Sequence, residues 1–191
     1  VVPRRNLFYR QDDIRTKSFA ANLDHVLILI AAEPEFSEHQ LARALIAAEA
    51  ERITPIIALN KSDLVEPFER AWRKLAPYRR MHHGVLPLSL KASGEVDHAS
   101  LTQRLAGKTT LVLGPSGAGK STLINLLVPG ATALTGEISQ ALNSGKHTTT
   151  STTWYWVDAA RSTALIDSPG FQEFGLHHIA PMQLAGLMPD I

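Results

Sequence analysis

A layered α/β domain with a mostly parallel sheet is the fold class this sequence predicts, and three observations predict it. Short unbroken apolar runs recur, Val26–Ala32 being the longest, and such runs suit strands buried on both faces. Stretches with helical spacing alternate with those runs, which is the pattern of βα units. A glycine-rich turn, Gly114–Ser121, lies between one run and one such stretch. With 191 residues, 45% of them hydrophobic, the chain can bury one sizeable core.

Residues 1–22 come first and read as a polar, basic linker or the end of a preceding domain. Arg4, Arg5, Arg10, Arg15 and Lys17 outnumber Asp12 and Asp13 there. The excess fits a solvated linker or a strip facing nucleic acid. Residues 23–191 read as the main domain. Val26–Ala32 is its first strand, ended by Pro34. Ser37 is placed to cap a helix whose Leu41, Leu45, Ala48 and Ile53 share one face. Ile56–Leu59 is a second buried strand. Pro67 opens a helix to about Leu75, and Val85–Leu88 is a third strand weakened by its proline. A helix over about Val96–Leu105 leads to a fourth strand, Thr109–Leu113, and then to a helix from Gly119 to about Val128. Residues 129–150 lack apolar periodicity and read as a long functional or flexible loop. Trp154–Val157 and Ala164–Ile166 are two last strands, joined by a turn near Asp158–Ser162.

Composition removes several classes. Nineteen Lys and Arg against eighteen Asp and Glu leave a net charge of +1, so any basic surface is local. The absence of cysteine excludes a disulfide scaffold, a thiol nucleophile and cysteine-held zinc in this chain. No apolar run approaches the ~20 residues needed to cross a bilayer. The start at Val1 carries no basic-then-apolar leader, so no export signal is expected. That start, and the ending Met188-Pro189-Asp190-Ile191, suggest a piece of a longer protein. His82-His83 and His177-His178 are adjacent pairs whose side chains diverge, so they suggest solvated pairs rather than a metal site. Trp154 and Trp156 alternate on a strand and suit packing or covering an edge better than stacking on RNA.

Gly114-Pro115-Ser116-Gly117-Ala118-Gly119-Lys120-Ser121 matches G-x-x-x-x-G-K-[ST]. Glycines let the backbone wrap an anion with its N–H groups turned inward. The following helix adds the positive end of its dipole. Lys120 supplies charge for β- and γ-phosphates, and the Ser121 hydroxyl can ligate Mg²⁺. Gly114 to Thr122 are therefore candidate nucleotide contacts. The bland alternative is a glycine-rich βα turn that binds nothing.

The base must be chosen elsewhere. Asn60-Lys61-Ser62-Asp63 follows the second buried strand. An Asp63 carboxylate accepts from two adjacent N–H donors, a pair that guanine presents and adenine does not. Asn60 can hold the loop, and the Lys61 stem can lie across the purine. A polar turn after a strand is the alternative for this short motif. Ser89 and Leu90, after the third strand, offer backbone to the guanine O6.

Asp167-Ser168-Pro169-Gly170 follows the last strand. Asp167 can hold Mg²⁺, and the Gly170 N–H can bind a γ-phosphate. Thr148 or Thr149, in Gly145–Thr150, could complete the metal shell and release it after hydrolysis, although a threonine run also fits a plain flexible loop. An ordinary GTPase runs phosphate loop, switch threonine, D-x-x-G, N-K-x-D. Here N-K-S-D comes first, so the order is circularly permuted, which costs little because domain termini lie at the surface. A P-loop kinase or ATPase is a further reading, disfavoured by N-K-S-D.

KSFAANLD at 17–24, NKSDL at 60–64, the phosphate loop, GKHTTT at 145–150 and DSPGFQEFG at 167–175 together resemble the RsgA (YjeQ) family of circularly permuted GTPases, over nearly the whole chain. The resemblance implies a P-loop GTPase domain that binds GTP and GDP with Mg²⁺ and assists assembly of the small ribosomal subunit, contacting its rRNA. It implies a cytoplasmic, monomeric factor away from membranes. It also implies a flanking OB-fold and a C-terminal zinc domain, neither evident here. Phe171 stands where classical GTPases place a water-orienting glutamine. In this family the histidine of the G-x-H-T-T segment is thought to serve, so the resemblance makes His147, with Lys120 and Thr148, the candidate catalytic residues. A guanine-nucleotide-gated ribosome-binding module with negligible hydrolysis in isolation is the alternative.

Overall fold

A computed structural model describes residues 3–11, 16–91, 94–128, 130–131, 152–169 and 175–187. The strands are β1 (Leu7–Gln11), β2 (Thr16–Ala21), β3 (His25–Ala31), β4 (Thr54–Asn60), β5 (Val85–Pro87), β6 (Thr109–Leu113), β7 (Thr153–Trp156) and β8 (Ala164–Asp167). The helices are α1 (Glu38–Ala50), α2 (Val65–Lys74), α3 (Ala76–Arg80), α4 (Gly94–Leu105), α5 (Lys120–Leu127) and α6 (Pro181–Leu187). Six strands form one sheet in the order β5-β4-β3-β6-β8-β7. Every pairing in it is parallel except β7 with β8.

The apolar runs become the sheet's centre because both of its faces are covered. Along β3, Val26, Ile28 and Ile30 pack with Leu41, Ala44, Leu45 and Ala48 of α1. Leu27 and Leu29 pack the other way, with Leu101 and Leu105 of α4 and Leu123 and Ile124 of α5. Ser37 caps α1, its hydroxyl accepting the Gln40 N–H at 3.3 Å. Pro87 is tolerated because β5 is a three-residue edge strand. The Asp158 carboxylate accepts N–H groups of Ser162 and Thr163 at 3.0 and 2.7 Å and so closes the β7–β8 turn.

The opening segment differs from a bare linker. β1 and β2 form an antiparallel hairpin, with Phe8 fully buried and its ring 5.7 Å from that of Phe19. The Leu7 N–H reaches Glu51 at 3.2 Å, at the end of α1. Gln11 also pairs with Leu176, donating to the Gly175 carbonyl at 3.1 Å and accepting the His177 N–H at 3.0 Å. His178 lies on Tyr9, ring centroids 4.2 Å apart. Arg5, counted above with the loose basic residues, is committed to Asp24 at 3.1 Å. Further along, α2 starts two residues before Pro67, α3 follows it as a separate short helix, and α6 lies beyond the last predicted element. Trp154 and Trp156 stand on the outward face of edge strand β7, 47% and 42% exposed, in edge contact at 5.2 Å.

The hairpin's place in the core predicts that Phe8→Ala lowers unfolding free energy by roughly 3–5 kcal/mol in urea titration; a loss under ~1 kcal/mol would contradict it. Hydrogen bonds, the Ser162 backbone first, hold the Asp158 carboxyl down at about 2 from 3.8. A depressed carboxyl stabilises the fold above its unfolded value and loses that contribution as pH falls toward the folded one. Wild type should therefore lose melting temperature relative to Asp158→Asn between about pH 4 and pH 2, as thermal scans across that window would show.

Candidate nucleotide site

Parallel strands deliver the site motifs to one edge of the sheet. β4 ends at Asn60, β5 leads into Ser89, β6 runs into Gly114 and β8 ends at Asp167. The carboxyl ends of such strands are where open α/β sheets hold ligands.

The turn from β6 to α5 lies close against its neighbours. A Cβ on Gly114 would fall 2.2 Å from the Leu29 carbonyl oxygen of β3, so only glycine fits. Gly119 adopts φ +105°, and a Cβ there would meet Asn60 Nδ2 at 2.5 Å. Gly119 is the N-cap of α5 and caps it with no side chain, which leaves first-turn N–H groups facing the turn. Lys120 Nζ donates to the Gly114 carbonyl at 2.8 Å and the Pro115 carbonyl at 3.3 Å. The ammonium thus closes back over the loop that it would serve.

The loops after β4 and β5 are tied to that turn through Asn60, which is 5% exposed. Its Nδ2 donates to the Ala118 carbonyl at 3.0 Å, and its Oδ1 accepts the Leu90 N–H at 3.2 Å. Ser89 Oγ donates to Asp63 Oδ1 at 2.6 Å. This leaves the exposed Asp63 with acceptor capacity for two adjacent donors. Lys61, at φ +66°, donates its ammonium to the Glu33 carbonyl, so its stem spans the gap between two loops. The Leu90 N–H expected at the guanine O6 is engaged by Asn60, so a purine carbonyl must share or displace that long bond.

The charges at the phosphate end are held out of water. Burial pushes the Lys120 ammonium below its usual pKa, with Asp167 opposing that shift. Burial likewise pushes Asp167 above the usual carboxylate range, against the pull of Lys120 and the Ser168 N–H. Asp167 Oδ1 is buried with no hydrogen-bond partner. An orphaned carboxylate oxygen on the strand beside β6, with the Ser121 hydroxyl starting α5, is the oxygen-only donor chemistry that suits Mg²⁺.

The predicted residues Asn60, Lys61, Ser62, Asp63, Ser89, Leu90, Gly114–Thr122 and Asp167 therefore gather at one edge. His147, Thr148, Thr149 and Gly170 lie outside the described residues. Two further residues that support the site were not among its predicted contacts. The fully buried Ser168 fixes the start of D-S-P-G by donating to the Val112 carbonyl at 2.7 Å. Asp97 of α4 accepts the Ser89 N–H at 2.5 Å. An acidic residue in a helical first turn after a polar loop was the only available signal.

The family model described as RsgA GTPase matches residues 1–177. The small ribosomal subunit biogenesis GTPase RsgA of Variovorax paradoxus (strain S110) is 93% identical over the whole chain, and that of Paraburkholderia xenovorans (strain LB400) is 53% identical over 98% of it. The chain spans 60% of the length of each. The crystal structure of YjeQ from Thermotoga maritima superposes with TM-score 0.72 at 26% identity, covering 97% of this chain and 59% of that one. YloQ, described as a circularly permuted GTPase, shares the fold with TM-score 0.64 at 22% identity, covering 95% of this chain and 61% of its own.

The contact at Gly114 generates a test of the loop's packing. Gly114→Ala should lower the melting temperature by several degrees, since a backbone carbonyl must move. An unchanged melting temperature would mean that β3 yields freely at Leu29.

Proposed function

Because the chain belongs to the RsgA GTPase family, we propose that it binds guanine nucleotides and hydrolyses GTP with Mg²⁺. We place that cycle in small ribosomal subunit assembly, as the names of its relatives suggest, and take contact with rRNA in the cytoplasm as part of the same reading. The observation that carries the reading is the Asn60 clamp. One buried side chain holds the phosphate turn at Ala118 and the base loop at Leu90 in a single frame.

In this reading Asp63 accepts the guanine N1 and N2 hydrogens. Adenine would leave that carboxylate facing no matching donors, the arrangement that gives large discrimination. The turn's N–H groups and Lys120 hold the phosphates, and a bound anion would draw the ammonium's pKa back up. Ser121 and Asp167 would hold Mg²⁺, with Thr148 or Thr149 completing its shell. When bound, that ion neutralises charge on the β- and γ-oxygens. Gly170 would meet the γ-phosphate through its N–H. His147 would orient the attacking water, since Phe171 after D-S-P-G has no polar atom to do so.

The same feature favours slow turnover in isolation and stimulation by the small subunit. A protein spanning the relatives' full length should hydrolyse GTP faster when 30S particles are added; an unchanged rate would remove the ribosome from the reading.

Competition titration of GDP against ADP with Mg²⁺ tests the base site. Wild type should prefer GDP by at least about 100-fold, and Asp63→Asn should lose most of that preference. Lys120→Ala should weaken both nucleotides at least about tenfold. Equal binding of GDP and ADP by wild type would refute the guanine reading. Undiminished binding by Lys120→Ala would refute the phosphate assignment.

A further inference from the structure

We propose that Asp97 is a positioning residue for base selection, holding Ser89 where that residue can aim the Asp63 carboxylate. The proposal rests on the guanine reading above. Ser89 is 2% exposed and spends both of its donors on carboxylates. Its hydroxyl goes to Asp63 Oδ1 at 2.6 Å, and its backbone N–H goes to Asp97 Oδ2 at 2.5 Å.

Three consecutive backbone N–H groups set this loop. Leu88 donates to the Leu59 carbonyl at 2.8 Å and extends the sheet's bonding by one residue past β5. Leu90 donates to Asn60 at 3.2 Å. Between them the Ser89 N–H has no strand to bond to, because β5 is the edge of the sheet and alternate N–H groups turn away from β4. Its partner comes instead from α4, a helix anchored in the core by Leu101 and Leu105. Of the three acceptors, only Asp97 carries charge, and its bond is the shortest. Charge-assisted bonds are roughly twice as strong as neutral ones.

Removing Asp97 would leave a buried N–H unsatisfied, so the loop would shift to find water. The Ser89 hydroxyl would move with it. Asp63 is exposed, and among the described residues Ser89 is what restrains its carboxylate, so its aim at two adjacent donors would blur. The phosphate turn packs on Leu29 and bonds Asn60 Nδ2 through Ala118, contacts that do not involve Ser89, and would keep its grip. The effect should therefore fall on discrimination between bases and spare affinity for phosphates.

GDP and ADP Kd values with Mg²⁺ on wild type and Asp97→Ala test this, because ADP shares the phosphate contacts and not the base reading. The GDP-over-ADP ratio should fall about tenfold in Asp97→Ala while the ADP Kd stays within about twofold. In a Ser89→Ala background the same substitution should change the ratio no further, since the link to Asp63 is already cut. If Asp97→Ala does not fold, Asp97→Asn, which keeps an acceptor and loses the charge, should lower the ratio about threefold. Wild type binding GDP and ADP alike would fail the guanine reading itself. Wild type preferring GDP, with the ratio unchanged in Asp97→Ala or Asp97→Asn, would overturn the role of Asp97. Parallel weakening of GDP and ADP would also overturn it, as the sign of a merely structural staple.

Discussion

The Asn60 amide makes one donation and one acceptance, and the arrangement of the site depends on that pair. β4 brings the side chain to the sheet edge, where its nitrogen meets the Ala118 carbonyl and its oxygen meets the Leu90 N–H. A primary amide presents its donor and its acceptor on two separate atoms, so one side chain can bond partners on two sides. An aspartate would face the Ala118 carbonyl with a second acceptor, and a leucine would leave both backbone groups bare in a buried place. Close approach is possible only because Gly119 lacks a Cβ where Asn60 stands. The glycine of one motif and the asparagine of another are thus a single packing solution, met from two parts of the chain.

Around that clamp the charges are arranged for a guest. Lys120 and Asp167 each lose hydration and each gains only part of it back from the other. Lys120 compensates by folding onto the loop carbonyls, while one oxygen of Asp167 stays unpartnered. Buried charge without full compensation is costly, and it persists where binding repays the cost. A polyanion with a divalent cation satisfies both groups at once.

Much of this was legible because the informative residues obey rigid local rules. The apolar runs of β3, β4 and β6 are short and rich in β-branched residues, and turn residues bound them, as suits strands buried on both faces. The phosphate turn is legible because its glycines answer to geometry that no other residue satisfies. The hairpin was not, since charges at Arg4, Arg5, Arg10 and Lys17 mask the strand alternation around Phe8 and Phe19. Its burial comes from α1 and from Leu176, which local sequence cannot report. Asp97 stayed hidden for a related reason. A carboxylate in the first turn of a helix looks like an ordinary dipole partner until the fold shows whose N–H it accepts.

The bridge between Gln11 and Leu176 also sets a timetable. β3, β4 and β5, with α1 to α3 between them, are contiguous in sequence, so this half of the sheet can pack while the remainder of the chain is still being made. β6 then joins β3, and β8 joins β6, each from further along. Gln11 must wait for residues 175–177, so its pairing follows those of β6 and β8 and closes a long, entropically costly loop. Permutation has thus reversed the usual biography of such a fold. Each nascent molecule completes the loops after β4 and β5 before it makes the turn from β6 to α5, and Gln11 finds its partner at Leu176 only after both.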